Sequence, residues 1–315
     1  MLKKIFISAI LLLAILSFVV SLLKGNNNGE KSVTVPDRVA VINIAGTIIS
    51  GGVQEDDIFH QQQGITSGTI MAQIRSAAED NSVKAVLLKI DSGGGSATAA
   101  EEVGRELKRF KEKSKKPIVA SIGDTGASAA YWIAACSSDK VYANATSLTG
   151  SIGVYMPYMN IEELYKKLGV TSTKIKSGAH KDMMSMDRPM TAEERVMLQN
   201  IVNEIYDAFV KTIAEGRKME EMKVRAIADG RVYTGLQAKN LGLVDEIGNY
   251  YDALAAAGEL GKIKPDKNGL PPVKTRQQKT GWGYIFGSEM AKIIKGEIIN
   301  QFKTEAMPVL ENNVR

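Results

Sequence analysis

From Arg38 onward the apolar positions fall into two alternating kinds of run. RVAVINIAGTI (38–48, with a glycine bend), KAVLLKI (84–90), PIVA (117–120) and KVYA (140–143) have the near-continuous apolar character of strands buried on both faces. Between and after them, Thr69–Ala78, 97–111, 161–168 and Thr191–Glu215 carry apolar residues at helical spacing. Residues 172–176 read as one further strand, followed by the loop SGAHKDMMSMDRPM. This succession predicts βα units, and so an α/β fold with a mostly parallel sheet and crossover helices, forming one body from 38 to 261.

The two ends follow other patterns. IFISAILLLAILSFVVSLL (5–23) is uncharged, apolar and close to the roughly 20 residues that a membrane-crossing helix needs. Lys3 and Lys4 precede it, which predicts a cytoplasmic N-terminus and an extracytoplasmic body. Val19–Gly25 offers no small-x-small cleavage site, so the expectation is an uncleaved anchor, 1–24, and no cysteine near the span provides for a lipid attachment. Residues 25–37 are polar and read as a tether. Residues 262–315 form a tail: a basic linker over 262–283, then Phe286, Met290, Ile293, Ile294 and Ile298 at helical spacing, which fits a packing helix or a membrane-surface or partner-binding helix.

Composition narrows the classes only a little. The 315 residues are 44% hydrophobic and 24% charged, with a formal net charge of +5; no nucleic-acid motif accompanies the positive charge. The single cysteine, Cys136, forms no intramolecular disulfide and reads as a core residue. With only His60 and His180, far apart in sequence, a catalytic metal site is not expected.

The candidate chemistry lies in two small-residue segments. In SIGDTGASAAY (121–131), Gly123 and Gly126 permit a tight turn after a strand, and helix is favoured over Ala127–Ala135, which puts Ser128 at a helix N-terminus. There a hydroxyl is exposed beside free N–H groups, a setting for a nucleophile, although a lone serine is more often only a cap. In DSGGGS (91–96), strand, glycines and helix follow one another; the third glycine of a dinucleotide fingerprint is replaced by Thr98 and no phosphate-loop lysine is present. An oxyanion hole and a simple tight turn are equally good readings. A serine nucleophile needs a base. His60 lies in a polar stretch. His180 and Lys181 are neighbours with Met183, Met184 and Met186 close by, and a lysine serves only when neutral. Lys174 and Lys176 read as a solvated strand face, and Lys181 as a surface partner of Asp182 is the plain alternative.

LLKIDSGGG, GASAAYWIA, LTGSIGV, IKSGAHKD with PMTAEER, and ADGRVYTGLQAKNLGLVDEIG together resemble the short, single-copy form of the bacterial signal peptide peptidase (SppA) family, within the Clp protease/crotonase-like superfamily. The resemblance implies a repeated ββα core and a Ser/Lys dyad, with Ser128 as nucleophile and Lys181 as general base. It further implies that Ser151 orients the lysine and that Gly94 and Gly95 form the oxyanion hole. No cofactor is implied. The substrates would be remnant signal peptides and other apolar peptides outside the cytoplasmic membrane. The enzyme would be a homo-oligomer whose sites draw serine and lysine from neighbouring subunits. Two positions depart from the family pattern: Gly93 and Met186 stand where proline is common. The alternatives are a crotonase-like acyl-CoA enzyme and a non-catalytic membrane scaffold.

Overall fold

The computed structural model describes residues 35–53 and 64–275; the apolar run 5–23, His60 and the tail beyond 275 lie outside the described residues. The strands are β1 (Arg38–Ala45), β2 (Thr47–Ile49), β3 (Gly64–Thr66), β4 (Val83–Ser92), β5 (Ile118–Ala127), β6 (Lys140–Ala143), β7 (Leu148–Gly150), β8 (Val232–Thr234), β9 (Glu246–Ile247) and β10 (Val273–Thr275). The helices are α1 (Ser67–Glu79), α2 (Ala97–Ser114), α3 (Ala129–Ser137), α4 (Glu162–Lys167), α5 (Ala192–Arg217), α6 (Glu221–Ile227), α7 (Gly235–Asn240) and α8 (Tyr250–Leu260).

The main sheet has the order β10-β1-β4-β5-β6-β9, with every neighbouring pair parallel, and β7 pairs both β5 (parallel) and β8 (antiparallel). Alternation along the strands sends side chains to two cores. Ile42 and Ile44 of β1, Leu88 and Ile90 of β4, and Ile118 and Ile122 of β5 face the larger core, which α1, α2, α3 and α5 cover. Val39, Val41, Leu87 and Val119 face the opposite way, against Ala253, Leu254 and Ala257 of α8. Burial on both faces is why these strands read as unbroken apolar runs.

Helix α3 is the centre of the larger core, and all nine of its residues are buried. Its neighbours approach through small residues: a Cβ on Gly216 of α5 would lie 2.0 Å from Ala135 O, and one on Gly104 of α2 would lie 3.5 Å from Cys136 Sγ. Trp132 stacks on Phe209 at 4.8 Å, and the Tyr131 hydroxyl donates to Leu243 O at 2.7 Å. Burial pushes the Tyr131 phenol and the Cys136 thiol up, the latter to about 11, so Cys136 is an inert core residue, as expected.

Four details differ from the sequence reading. The glycine bend at Gly46 (φ 73°) ends β1, and β2 leaves the main sheet to pair with β3. Gly123 and Gly126 do not form a tight turn: β5 runs on through them to Ala127, because β4 and then β7 offer its backbone a ladder. Residues 172–176 form no strand; they are exposed and pair with no strand among the described residues. The stretch 262–275, linker-like in composition, returns to the body: Ile263 is buried and β10 pairs with β1, Val39 N–H donating to Pro272 O at 2.9 Å. A three-residue edge strand among prolines and lysines carries too little periodicity to be read beforehand. Among the described residues, no helix is long and apolar enough to cross a membrane, and no group of three or more His, Cys, Asp and Glu could hold a metal ion.

Candidate active site

Three adjacent parallel strands, β4, β5 and β7, deliver the candidate residues from their C-terminal ends. The register aligns Ser92 with Gly126, and Ala127 with Gly150. The next residues, Ser128 and Ser151, therefore leave the sheet side by side. In open parallel sheets this end is where ligands bind, since the loops there are free of the sheet ladder.

Both serines have left-handed backbones, Ser128 at φ 53° and ψ −125° and Ser151 at φ 51°. Such conformations cost on the order of 1–3 kcal/mol each and persist only where the surroundings fix them. Here they do: Ser128 N–H donates to Gly150 O at 2.9 Å, Trp132 N–H donates to Ser128 O at 3.0 Å, and Ser151 N–H donates to Arg231 O at 2.9 Å. Behind them the fully buried Thr149 hydroxyl donates to Gly126 O at 2.7 Å. Ser128 is the N-cap residue of α3, yet its side chain makes no capping hydrogen bond. The plain role of a helix cap is not what the residue performs; its half-buried hydroxyl is left for other use.

The glycine loop lies against this serine. A Cβ on Gly94 (φ 105°) would fall 2.8 Å from Ser128 Cβ and 2.9 Å from Ala129 N, so only glycine lets the loop come this close. Gly95 (φ 151°) is as constrained, since a Cβ there would lie 2.0 Å from Ile48 O; Ile48 N–H in turn donates to Gly94 O, and Ser96 N–H donates to Ile48 O. The two glycines differ in what they offer a ligand. Gly94 N–H already donates to the buried Ser92 Oγ at 3.1 Å, whereas Gly95 N–H has no acceptor among the described residues. Ala129 N–H, the first of α3, also has none there, as expected at a helix start. Sequence reading missed Ala129; the signal was its place directly after the serine at a helix N-terminus.

Lys181 is exposed, and among the described residues no hydrogen bond joins its amine to Ser128 or Ser151. Nor does it pair with Asp182, whose carboxylate is held by Arg188 and Lys176 well below the usual carboxylate range. Lys174 and Lys176, expected on a strand face, instead pair with Asp187 and Asp182 in the loop. His180 is partly exposed, with Nε2 3.8 Å from Glu193. The segment 154–180 is open to solvent, including Tyr155, Met159, Leu168 and Ile175.

A groove of about 490 Å³ begins three residues beyond Ser151, lined by Val154, Tyr155, Met156, Met184 and Leu198 among others. A larger cavity of about 650 Å³ lies between α1, β1 and β10, and none of the serine and glycine cluster lines it.

Comparison with known proteins points the same way. Residues 110–264 match the model of peptidase family S49. A protein of Methanocaldococcus jannaschii named "Putative protease" is 37% identical over 301 residues, covering 94% of this chain and 95% of its own. A "Putative protease" of Synechocystis sp. is 40% identical over 212 residues, 67% of this chain and 76% of the relative. A "Putative signal peptide peptidase SppA" of Enterococcus faecium is 39% identical over 217 residues, 69% of this chain and 62% of the relative. Ser128 and Ser151 both lie inside the matched span, and the similarity to the archaeal relative runs through nearly the whole of both chains: the chain belongs to peptidase family S49.

Proposed function

We propose that this protein is a serine endopeptidase with a Ser128/Lys181 dyad that cleaves apolar peptides, remnant signal peptides among them. The observation that carries the reading is the strained, uncapped Ser128 with Gly94 packed on its Cβ. Ser128 Oγ gives its proton to the neutral amine of Lys181 and attacks the peptide carbonyl carbon. The resulting oxyanion takes hydrogen bonds from Gly95 N–H and Ala129 N–H, the two donors without acceptors among the described residues. Gly94 serves sterically, with its own N–H held by Ser92. Lys181 then protonates the leaving amine, and water hydrolyses the acyl-enzyme. No step calls for a cofactor.

The reading requires Lys181 to reach a serine, and the exposed segment that carries it favours a neighbouring subunit's serine over its own. Exposed Tyr155, Leu168 and Ile175 supply apolar surface for such a homo-oligomer. The groove lined by Val154, Met156, Met184 and Leu198 offers apolar surface to such substrates, and residues 5–23 would anchor the chain with its body outside the cytoplasmic membrane.

The test is hydrolysis of a fluorogenic apolar peptide by the detergent-solubilised full chain. Ser128→Ala and Lys181→Ala each abolish turnover while leaving fold and assembly intact, and an equimolar mixture of the two regains activity. Full activity in either single variant would sink the dyad. Two inactive variants that do not complement would place serine and lysine in the same subunit.

A further inference from the structure

The loop 177–190 presents Lys181, yet no strand or helix runs through it and its residues are exposed or half-buried. A guanidinium holds its path. Arg188 Nε–H and one of its terminal N–H groups donate to the two oxygens of Asp182, both at 2.9 Å. The same side chain donates to the two oxygens of Glu194 at 2.9 and 2.5 Å. Glu194 is the third residue of α5 and its side chain is 2% exposed; it also accepts Thr191 N–H at 2.9 Å, closing a capping box. The far half of α5 is set in the larger core through Phe209, Val210 and Ile213. Arg188 therefore links the residue that follows Lys181 to an element fixed by packing. From the other side, the Tyr158 hydroxyl donates to Arg188 O.

We propose that Arg188 is a positioning residue for Lys181: it ties Asp182 to helix α5, so fixing where the lysine amine is presented, and it neutralises the carboxylate next to that amine. The inference rests on Lys181 being the base. Two bidentate contacts from one side chain are a geometry that only arginine provides.

Its electrostatic half follows from sign. An uncompensated carboxylate beside a lysine favours the charged ammonium, which cannot act as a base. Around this loop the charges are largely matched. Lys176 shares Asp182 with Arg188, Lys174 pairs with Asp187, and His180 lies near Glu193. Arg195 of α5 and the phenols of Tyr155 and Tyr158 lie near Met184 of the loop, and α4, whose N-cap Ile161 N–H donates to Met186 O, adds Glu162, Glu163, Tyr165, Lys166 and Lys167. Removing Arg188 leaves Glu194 without its cation and Asp182 with Lys176 alone.

The test follows kcat and KM against pH for the full chain in detergent on an apolar fluorogenic peptide. In Arg188→Gln the rising limb of kcat moves to higher pH by about one unit, which is about a tenfold loss below the limb, while KM stays within about twofold. Adding Asp182→Asn to Arg188→Gln brings the limb back. Asp182→Asn alone, which keeps the Arg188–Glu194 contact, moves the limb to lower pH. A wild-type profile in Arg188→Gln, a limb that Asp182→Asn fails to restore, or no downward move in Asp182→Asn alone would each overturn the proposal. Lys181→Ala is run alongside: if it keeps wild-type activity, the base assignment has failed, and the inference falls for that separate reason.

Discussion

The serine half and the lysine half of the proposed site are built by opposite means. Ser128 stands at the end of a buried strand and the start of a helix with no exposed residue, and its strained backbone is fixed by neighbours that cannot move. Lys181 stands on a loop without regular structure, held by ion pairs to Asp182, Asp187 and Glu194. A close-packed interior holds geometry because any shift costs packing on all sides. An ion pair open to solvent contributes little, typically under about 1 kcal/mol, and is screened by salt. One half is thus set by packing and the other by charge, with the Arg188 contacts to Asp182 and to the buried Glu194 linking the loop to the body.

The comparison can be broken most directly at the glycine loop. Gly95→Ala puts a Cβ 2.0 Å from Ile48 O and displaces the free N–H; the expected loss in kcat is at least about a hundredfold with folding retained, read by turnover and circular dichroism. Unchanged turnover would show that this loop does not hold the oxyanion. Next comes the core under Ser128. Phe209 is 2% exposed and stacks on Trp132, so Phe209→Ala is expected to cost about 3–5 kcal/mol in urea unfolding and to take activity with it.

Acid should separate the halves. Arg188 and the Thr191 N–H hold Glu194 down to about 2, below its ordinary 4.5. A carboxylate depressed on folding stabilises the folded state fully above its unfolded value and loses that contribution as pH falls through the folded one. The Arg188–Glu194 contact is therefore intact at pH 6 and weakens between pH 4.5 and 2, and limited proteolysis near residues 170–180 is expected to accelerate in that window. In Glu194→Gln the acceleration should already be present at pH 6. The smallest effect belongs to the outer pairs: Lys174→Ala, whose partner is Asp187, is expected to change stability by less than about 1 kcal/mol and to become silent at high salt.

Legibility in the sequence divides along the same line. The runs 84–90 and 117–120, the helix 97–111 and the serine at the start of α3 could be read because burial on both faces, or on one stripe, writes a periodic pattern. The glycines of DSGGGS were visible as a loop that approaches something closely. That the something is the side chain of Ser128 was not, since the contact joins residues separated by a whole helix. Nor did the sequence show that Gly94 N–H is taken up by donating to Ser92 Oγ while Gly95 N–H has no acceptor among the described residues. The run 172–176 misled because alternation alone does not make a strand: a ladder needs a neighbour, and none pairs with it among the described residues.

By itself, then, the sequence determined the parallel α/β order and the residues with chemistry to offer, because hydrophobic periodicity and small-residue turns are local properties. The tertiary structure decided that β5 runs straight through Gly126, that Ser128 and Ser151 emerge together from β5 and β7, and that β10 closes the sheet edge. It also decided that Lys181 is exposed on a loop without strand or helix. Each of these depends on which strands become neighbours, a choice made by how both faces of the sheet are buried and not by any residue's own preference.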